Sequence, residues 1–230
     1  MSKVAQQYLE IDPWLIRERG FHPERARVSE SIFSLANEFM GVRGYFEEGY
    51  GGEQVVGSFF NGVFEEEDLS QMPAFSFRGM IERTHGIANA VDWLYTRISA
   101  GDETLDLAAS SFTDFERTTD MRTGLMTRSF VWQTQNGARL RLTFSRFLSI
   151  SEGGLGFQRI EIESLSGACE LRVRLGLDGD VPQYTQRMAH QWECLRQHVD
   201  GPEFAILGRV KRSGHGVFSS ARIDGLDGAE

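Results

Sequence analysis

The residues best suited to chemistry lie between Glu30 and Glu48, where Glu30 precedes Arg43 and the pair Glu47-Glu48 follows it. Two carboxylates can serve as the general acid and as the base or nucleophile that cleave a glycosidic bond. Glu47 and Glu48 are adjacent on a predicted strand, so their side chains point to opposite faces and at most one can share a site with Arg43. We therefore predict that Arg43 forms a structural ion pair with Glu30 or Glu47, and we assign no catalytic residue.

A denser run of carboxylates extends from Glu65 to Asp68, directly after a predicted strand. Four adjacent acids beside a segment that contains serine and proline are typical of a solvated turn. We predict that this run is exposed and has no catalytic role.

His190, Cys194 and His198 are spaced by four residues, which would place all three on one stripe of a helix, where they could bind zinc. The same segment also alternates as a strand, with His190, Trp192 and Cys194 on one face. At about 3.3 Å per residue, the two histidines would then lie roughly 26 Å apart, too far for one ion. We favour the strand and predict no metal site.

The glycine-rich segment Gly49-Tyr50-Gly51-Gly52 has neither the Lys-Ser/Thr ending of a P-loop nor the GxGxxG spacing of a dinucleotide site. A hairpin turn is the better interpretation, and no cofactor is predicted. Gly41 and Gly44 instead bracket Arg43 within a strand-like run, where glycine usually marks a bulge or a close backbone approach.

Period-two alternation dominates the chain and predicts an antiparallel β-sandwich. The clearest hairpin runs from Gly124 to Ile150, with Asn136-Gly137 as its two-residue turn. Short helical turns are expected only near Glu30–Ala36 and Met80–Asn89. Earlier strands are predicted at Trp14–Arg19, Phe39–Glu48, Val55–Phe64, Asp92–Ile98 and Thr104–Leu107.

Several motifs in this order resemble the N-terminal domain of glycoside hydrolase family 65, which includes the maltose, trehalose and kojibiose phosphorylases and related hydrolases. The chain departs from the family pattern at Ala36-Asn37-Glu38 and at Thr119. The matching motifs are Gly20-Phe21-x-Pro23-Glu24, Glu30-Ser31-x-Phe33, Gly41-Val42-Arg43-Gly44, Glu47-Glu48-Gly49-Tyr50, Asp120-Met121-Arg122 and Ser213-Gly214.

The resemblance implies one large two-sheet sandwich over residues 1–230, similar to that of galactose mutarotases. It also implies that the general-acid glutamate and the phosphate-binding loop belong to a following (α/α)6 barrel, which this chain is expected to lack. In such phosphorylases inorganic phosphate is the co-substrate and attacks the anomeric carbon with inversion. Glu30, Arg43, Glu47, Asp120 and Arg122 are then expected to be structural.

Composition narrows the range of partners. The net charge of −9 repels phosphate backbones, so nucleic acid is not an expected partner. No segment approaches the ~20 apolar residues that cross a bilayer, and no signal peptide is evident. These features predict a cytoplasmic protein with no membrane association.

Two functions remain open at this stage. The first is a non-catalytic domain that supports the barrel and a homodimer of an enzyme acting on an α-linked glucose disaccharide. A loop after the strand Val55–Phe64, with Asn61 and Phe64 at its root, is the candidate to face the substrate. The second is a stand-alone carbohydrate-binding or mutarotase-like sandwich. Such a domain would be expected to expose aromatic platforms, whereas its four tryptophans are predicted to be half-buried in strands.

Overall fold

A computed structural model describes residues 8–68, 83–184 and 189–225 of the chain. The chain divides into two compact units. Unit 1 comprises the described residues up to Val55 together with Tyr95–Leu175. Unit 2 comprises Val56–Leu94 and the segment that begins at Gly176. The prediction of a single domain over residues 1–230 stays a prediction.

The secondary structure is almost entirely β, as the alternation predicts. The described residues contain one α-helix, α1 (Ala26–Ile32), preceded by a 3-10 turn at Pro23–Arg25. The strands are β1 (Leu9–Ile11), β2 (Leu15–Arg19), β3 (Leu35–Ala36), β4 (Met40–Val42), β5 (Ser58–Asp68), β6 (Arg83–Asn89), β7 (Thr96–Ala100), β8 (Glu103–Thr104), β9 (Ser111–Asp120), β10 (Leu125–Gln133), β11 (Arg139–Leu148), β12 (Gly156–Ser166), β13 (Leu171–Leu175), β14 (Pro182–Gln183), β15 (Ala189–His190), β16 (Trp192–Asp200), β17 (Glu203–Val210) and β18 (Gly216–Arg222).

Unit 1 is built on a six-stranded antiparallel sheet in the order β1-β2-β9-β10-β11-β12. The predicted hairpin lies at its centre as β10 and β11, and Gly137 in the turn has a φ of +88°. The Thr134 amide donates to the Ala138 carbonyl, and the Gly137 amide donates to the Thr134 carbonyl, both at 2.9 Å. The loop between the paired Thr134 and Ala138 therefore has three residues, and Gly137 takes the left-handed position that glycine adopts without strain. The hairpin is confirmed, but its predicted two-residue turn is wrong.

A smaller sheet in the order β13-β7-β8 completes the sandwich of unit 1. Aromatic and aliphatic side chains of the large sheet, including Phe130 and Phe144, pack against Ile98 of β7 and against Leu105, which directly follows β8. The inward positions recur every second residue because side chains alternate between the faces of a strand. The antiparallel all-β sandwich is therefore confirmed.

Unit 2 contains the pair β5–β6, the short pair β14–β15 and the sheet β16-β17-β18. Its small core includes Val63, Ala88 and Val210, with the half-buried Trp192 packed against them. The pairing of β5 with β6 is irregular between Phe59 and Phe64, because β5 advances five residues there while β6 advances two.

Both predicted helical segments need correction. The segment Arg83–Asn89 forms β6 rather than a helical turn, because its residues pair with β5 in an antiparallel ladder. Residues 80–82 of that prediction lie outside the described residues. Helix α1 begins four residues before the expected Glu30 and ends at Ile32.

Within the predicted strand Phe39–Glu48, only Met40–Val42 is a strand. Strand geometry ends there because the Gly44 amide donates to the Glu30 carbonyl at 2.8 Å and the Gly49 amide donates to the Phe46 carbonyl at 3.1 Å. The first bond ties the backbone to helix α1, and the second closes a turn that brings Glu47 and Glu48 into the core.

None of the helices in the described part of the chain is long and apolar enough to cross a membrane.

Candidate functional site

Three arginines project into the core of unit 1, and they organise its strongest cluster of ionisable groups. Arg117 on β9 lies directly across from Arg128 on β10. Arg146 on β11 lies across from Met126, which is the preceding inward residue of β10. All three are at most 2% exposed. Each arginine occupies an inward position of its strand, where the alternation would place an apolar side chain.

Arg128 binds two carboxylates at once. Its Nη1 and Nη2 donate to the two oxygens of Glu48 at 2.7 and 2.5 Å, and Nη2 also donates to Glu47 Oε2 at 2.7 Å. Arg146 Nη1 lies 3.2 Å from the other oxygen of Glu47. All four side chains are fully buried. The prediction that Glu47 and Glu48 face opposite sides is wrong, because they lie in a turn rather than on a strand.

Arg117 forms a second buried pair with Glu18 of β2. Its Nε and Nη2 donate to Glu18 Oε2 at 3.0 and 2.5 Å, and Nη1 donates to the carbonyl of Gly44 at 3.0 Å. Ser29 of α1 donates to the remaining Glu18 oxygen at 2.9 Å. The guanidinium carbon also lies 4.5 Å from the centre of the Phe33 ring. This pair therefore connects β2, β9, α1 and the Gly44 backbone.

Arg43 forms the third ion pair, with Glu30, which is one of its two predicted partners. Arg43 Nε lies 2.6 Å from Glu30 Oε1, and the amide of Val55 donates to Glu30 Oε2 at 2.9 Å. The Glu30 side chain is 3% exposed and the Arg43 side chain is 26% exposed. Glu47, the other predicted partner, pairs with Arg128 and Arg146 instead.

The charges in this cluster affect one another. Although burial raises the pKa of Glu47, Arg146 and Arg128 outweigh burial and hold that pKa below its ordinary value. Burial also raises the pKa of Glu48, and the single guanidinium of Arg128 does not fully offset it. Burial lowers the pKa of Arg128, but Glu48 and Glu47 outweigh it and raise that pKa, so this guanidinium stays charged.

The carboxylates of this cluster are shielded from solvent. A general acid must come within hydrogen-bonding reach of the group that it protonates. Glu18, Glu47 and Glu48 are each at most 2% exposed, and their oxygens face arginines except for Glu18 Oε1, which faces Ser29. These contacts connect strands β2, β9, β10 and β11 to α1 and to the turn at Glu47 and Glu48.

Comparison with known proteins identifies the architecture that this cluster supports. Residues 16–229 match the family described as "Glycosyl hydrolase family 65, N-terminal domain". The chain belongs to this family. It is 33% identical to the maltose phosphorylase of Bacillus subtilis over 178 residues, which cover 77% of this chain and 23% of that protein. It is 32% identical to the kojibiose phosphorylase of Thermoanaerobacter brockii over 185 residues, covering 80% of this chain and 22% of the relative.

A solved structure from the human microbiome, provisionally named a kojibiose phosphorylase, has the same fold as this family 65 domain. The TM-score is 0.85 and the sequence identity is 34% over 94% of this chain, which corresponds to 28% of that protein. The chain thus spans about a quarter of the length of the relatives that it matches.

The family motif Asp120-Met121-Arg122 forms the turn between β9 and β10. Asp120 Oδ1 accepts from the Arg122 amide at 2.9 Å, and the Met121 amide donates to the Trp14 carbonyl at 2.8 Å. The guanidinium of Arg122 lies over the Trp14 ring, 5.1 Å from its centre. Trp14 is 50% exposed, unlike the half-buried position predicted for it, whereas Trp132 is fully buried.

Asn61 and Phe64 lie inside β5, not at the root of a loop. The strand continues to Asp68, and residues 69–82, where the expected loop would continue, lie outside the described residues. Asn61 is exposed and sits within the irregular part of the β5–β6 pairing, and Phe64 is 38% exposed. Their role toward a substrate stays a prediction.

The solvated turn predicted at Glu65–Asp68 is wrong, since these residues belong to β5. Glu65 is 3% exposed. Its carboxylate accepts from the amides of Arg212 and Ser213, both at 3.1 Å. A buried carboxylate thus fixes the turn that carries the Ser213-Gly214 motif of the family.

The three residues of the candidate zinc site lie on strands. His190 is in β15, and its Nδ1 lies 2.7 Å from Asp180 Oδ1. Cys194 and His198 are in β16, where they pair with Gly208 and Ala205. Among the described residues, no three histidine, cysteine or acidic side chains converge as metal ligands would.

We therefore expect protein purified without a histidine tag to carry no stoichiometric zinc. Elemental analysis after dialysis measures it, with Cys169→Ala as the matched control for Cys194→Ala. One zinc per chain that is lost in Cys194→Ala and kept in Cys169→Ala would contradict the prediction.

Proposed function

We propose that this chain is the non-catalytic N-terminal sandwich of a disaccharide phosphorylase. The observation that carries the proposal is the burial and ion pairing of three acids of unit 1: Glu18, Glu47 and Glu48 are paired with arginines and shielded from solvent. Such a cluster stabilises a scaffold and offers no group for proton transfer. The names of the relatives, which include maltose, trehalose and kojibiose phosphorylases, support the reaction class.

In this proposal the chemistry belongs to an (α/α)6 barrel in the same polypeptide. The substrate is an α-linked glucose disaccharide, and inorganic phosphate attacks its anomeric carbon. A phosphorylase of this kind needs one general acid, since phosphate itself is the nucleophile. The family 65 domain supports the barrel and a homodimer, the protein acts in the cytoplasm, and the domain needs no cofactor or metal. A hydrolase that uses water instead of phosphate is the close variant.

Activity measurements test the proposal directly. Residues 1–230 should not consume maltose, trehalose, kojibiose or nigerose, with or without phosphate. The complete product of the gene should convert one of them to glucose and β-glucose 1-phosphate, because direct attack at the anomeric carbon inverts its configuration. Proton NMR of the first-formed product identifies the anomer.

Three outcomes would contradict the proposal. Turnover of a disaccharide by residues 1–230 alone would make the sandwich catalytic. Faster interconversion of glucose anomers by those residues would favour a mutarotase-like function. A complete gene product that is inactive on all four sugars would remove the proposed substrate class, while release of glucose without phosphate uptake would select the hydrolase.

A further inference from the structure

One end of the six-stranded sheet carries a row of exposed apolar side chains. Leu15 of β2 pairs with Asp120 of β9, which pairs with Leu125 of β10. Met126 of β10 pairs with Arg146 of β11, so the residue before it, Leu125, lies opposite Phe147. Phe147 in turn pairs with Phe157 of β12. Strands lie about 4.8 Å apart, so this row is roughly 19 Å long. The β9 member of the row is the charged Asp120, so the uninterrupted apolar part runs from Leu125 to Phe157. We use the name apolar row for Leu15, Leu125, Phe147 and Phe157 together with Trp14 and Met121, which lie in the turns beside β2 and β9.

The apolar row is exposed to an unusual degree for such large side chains. Leu125 and Phe147 are each 37% exposed, and Phe157 is 46% exposed. Trp14 and Met121, at the β2 and β9 end of the row, are 50% and 48% exposed. A group of exposed apolar side chains of this size often marks an interaction site in soluble proteins.

The aromatic members of the row are already held in place. The rings of Phe147 and Phe157 stack with centres 4.6 Å apart and planes 9° apart. At the other end, Arg122 lies over Trp14, and the β9–β10 turn is fixed by its own hydrogen bonds. A preorganised surface loses little side-chain entropy when a partner covers it. Tryptophan, arginine and methionine are also enriched at protein interfaces.

The rest of the same face is suited to water. Arg19 pairs with Glu116 at 3.2 Å, Arg159 pairs with Glu161 at 2.8 Å, and further along the sheet Arg141 pairs with Glu163 at 3.0 Å. The charges of these exposed side chains are paired within the sheet. The apolar row with its polar border therefore has the anatomy of an interface, with an apolar centre and a charged rim.

We propose that the apolar row is the surface on which the C-terminal part of a longer polypeptide docks. This inference rests on the proposed function. Its support is the length of the relatives: the solved structure matches 94% of this chain, yet the match spans only 28% of that protein. A covering element in the same polypeptide would keep the row buried permanently, as its composition favours. The partner should present an apolar face that seats the stacked phenylalanines and the Trp14 ring.

Photo-crosslinking in the complete gene product identifies what covers the row. The variant Phe147→p-benzoylphenylalanine retains an aromatic ring in the row, and the same substitution at Phe218, which is 67% exposed in unit 2, is the matched control. We expect Phe147→p-benzoylphenylalanine to give a crosslink at monomer mass on a denaturing gel, joined to a peptide beyond residue 230. A crosslink at dimer mass would assign the row to a second copy and overturn the proposal, as would crosslinking no stronger than at position 218.

A second measurement needs no substitution. Met121 is 48% exposed and Met126 is fully buried in this structure. Peroxide should oxidise Met121 of the complete gene product as slowly as Met126 if the row is covered. Oxidation of Met121 many-fold faster than Met126 would contradict docking.

The disaccharide assay on the same preparation separates the two proposals. A crosslink beyond residue 230 in a protein that consumes no disaccharide would keep the docking surface and remove the proposed reaction. Turnover without that crosslink would have the opposite meaning.

Discussion

Replacing Arg128 by methionine should lower the melting temperature of the chain by roughly 10 °C. The substitution leaves Glu47 and Glu48 buried with one guanidinium fewer, and both side chains are 0% exposed. Removal of one partner from a buried ion pair typically costs about 3–5 kcal/mol. That cost is a large part of the ~5–15 kcal/mol by which a folded domain is stable. Differential scanning calorimetry measures the shift.

Two comparisons test the cause of this effect. Arg141→Met removes an arginine from β11 whose side chain is 51% exposed, and we expect a change within about 1 kcal/mol. The double variant Arg128→Met/Glu48→Gln should recover part of the loss, because an amide is less costly to bury than an unpaired carboxylate. Equal melting temperatures for Arg128→Met and Arg141→Met would contradict the structural role of the cluster.

The loss in Arg128→Met should also depend on pH. Burial already raises the pKa of Glu48 with Arg128 present, and removing the guanidinium raises it further. A folded state with a raised carboxyl pKa binds more protons than the unfolded state, so its stability falls as pH rises through that range. The difference from the unmodified chain should therefore be smaller at about pH 5 than at about pH 7.5.

Gly44→Ala should be nearly as damaging, for a reason of space rather than charge. A Cβ at this position would lie 2.8 Å from the Glu30 carbonyl oxygen and 2.9 Å from both Cβ and the carbonyl oxygen of Phe33. Two of these three atoms are backbone, so the helix end must shift. Overpacking of this kind costs about 1–3 kcal/mol or more. Thermal unfolding followed by circular dichroism should show a drop of several degrees.

Gly41→Ala is the matched control from the same motif. Its Cβ would meet Ala36 Cβ at 3.6 Å and the Leu35 carbonyl oxygen at 3.7 Å, which are ordinary contacts. We expect no loss of stability there. Equal decreases in melting temperature for Gly41→Ala and Gly44→Ala would contradict this explanation, because only position 44 lacks space for a Cβ atom.

Local patterns predicted the large strands of unit 1 well. Alternation and the Asn136-Gly137 turn fix β10 and β11, because a one-residue slip would expose every inward side chain. The family motifs likewise identified the fold, because they mark positions such as Gly44 where the backbone allows no side chain. Both kinds of signal act over a few residues, so they can be read without knowing what packs opposite.

The charged core could not be predicted in the same way. Glu47 and Glu48 reach Arg128 from about eighty residues away, and a turn set by long-range contacts aims both of them inward. Glu65 was misread because a run of acids is usually solvated, while here the amides of Arg212 and Ser213 satisfy its carboxylate. One signal was available: Arg128 shares its strand parity with Phe130 and Trp132, which marks it as an inward residue.

The division of unit 1 into two separate stretches of chain has a consequence for synthesis. Strand β2 pairs with β9, and Glu18 meets Arg117 across 99 residues. At roughly 5–20 residues per second, the ribosome adds those residues over about 5–20 s. Throughout that interval β2 has only β1 as a neighbouring strand, and Glu18 lacks its countercharge, Arg117. We expect the nascent chain to depend most on chaperones before Ser111–Asp120 emerges, and we expect a product that terminates earlier to be cleared by proteolysis.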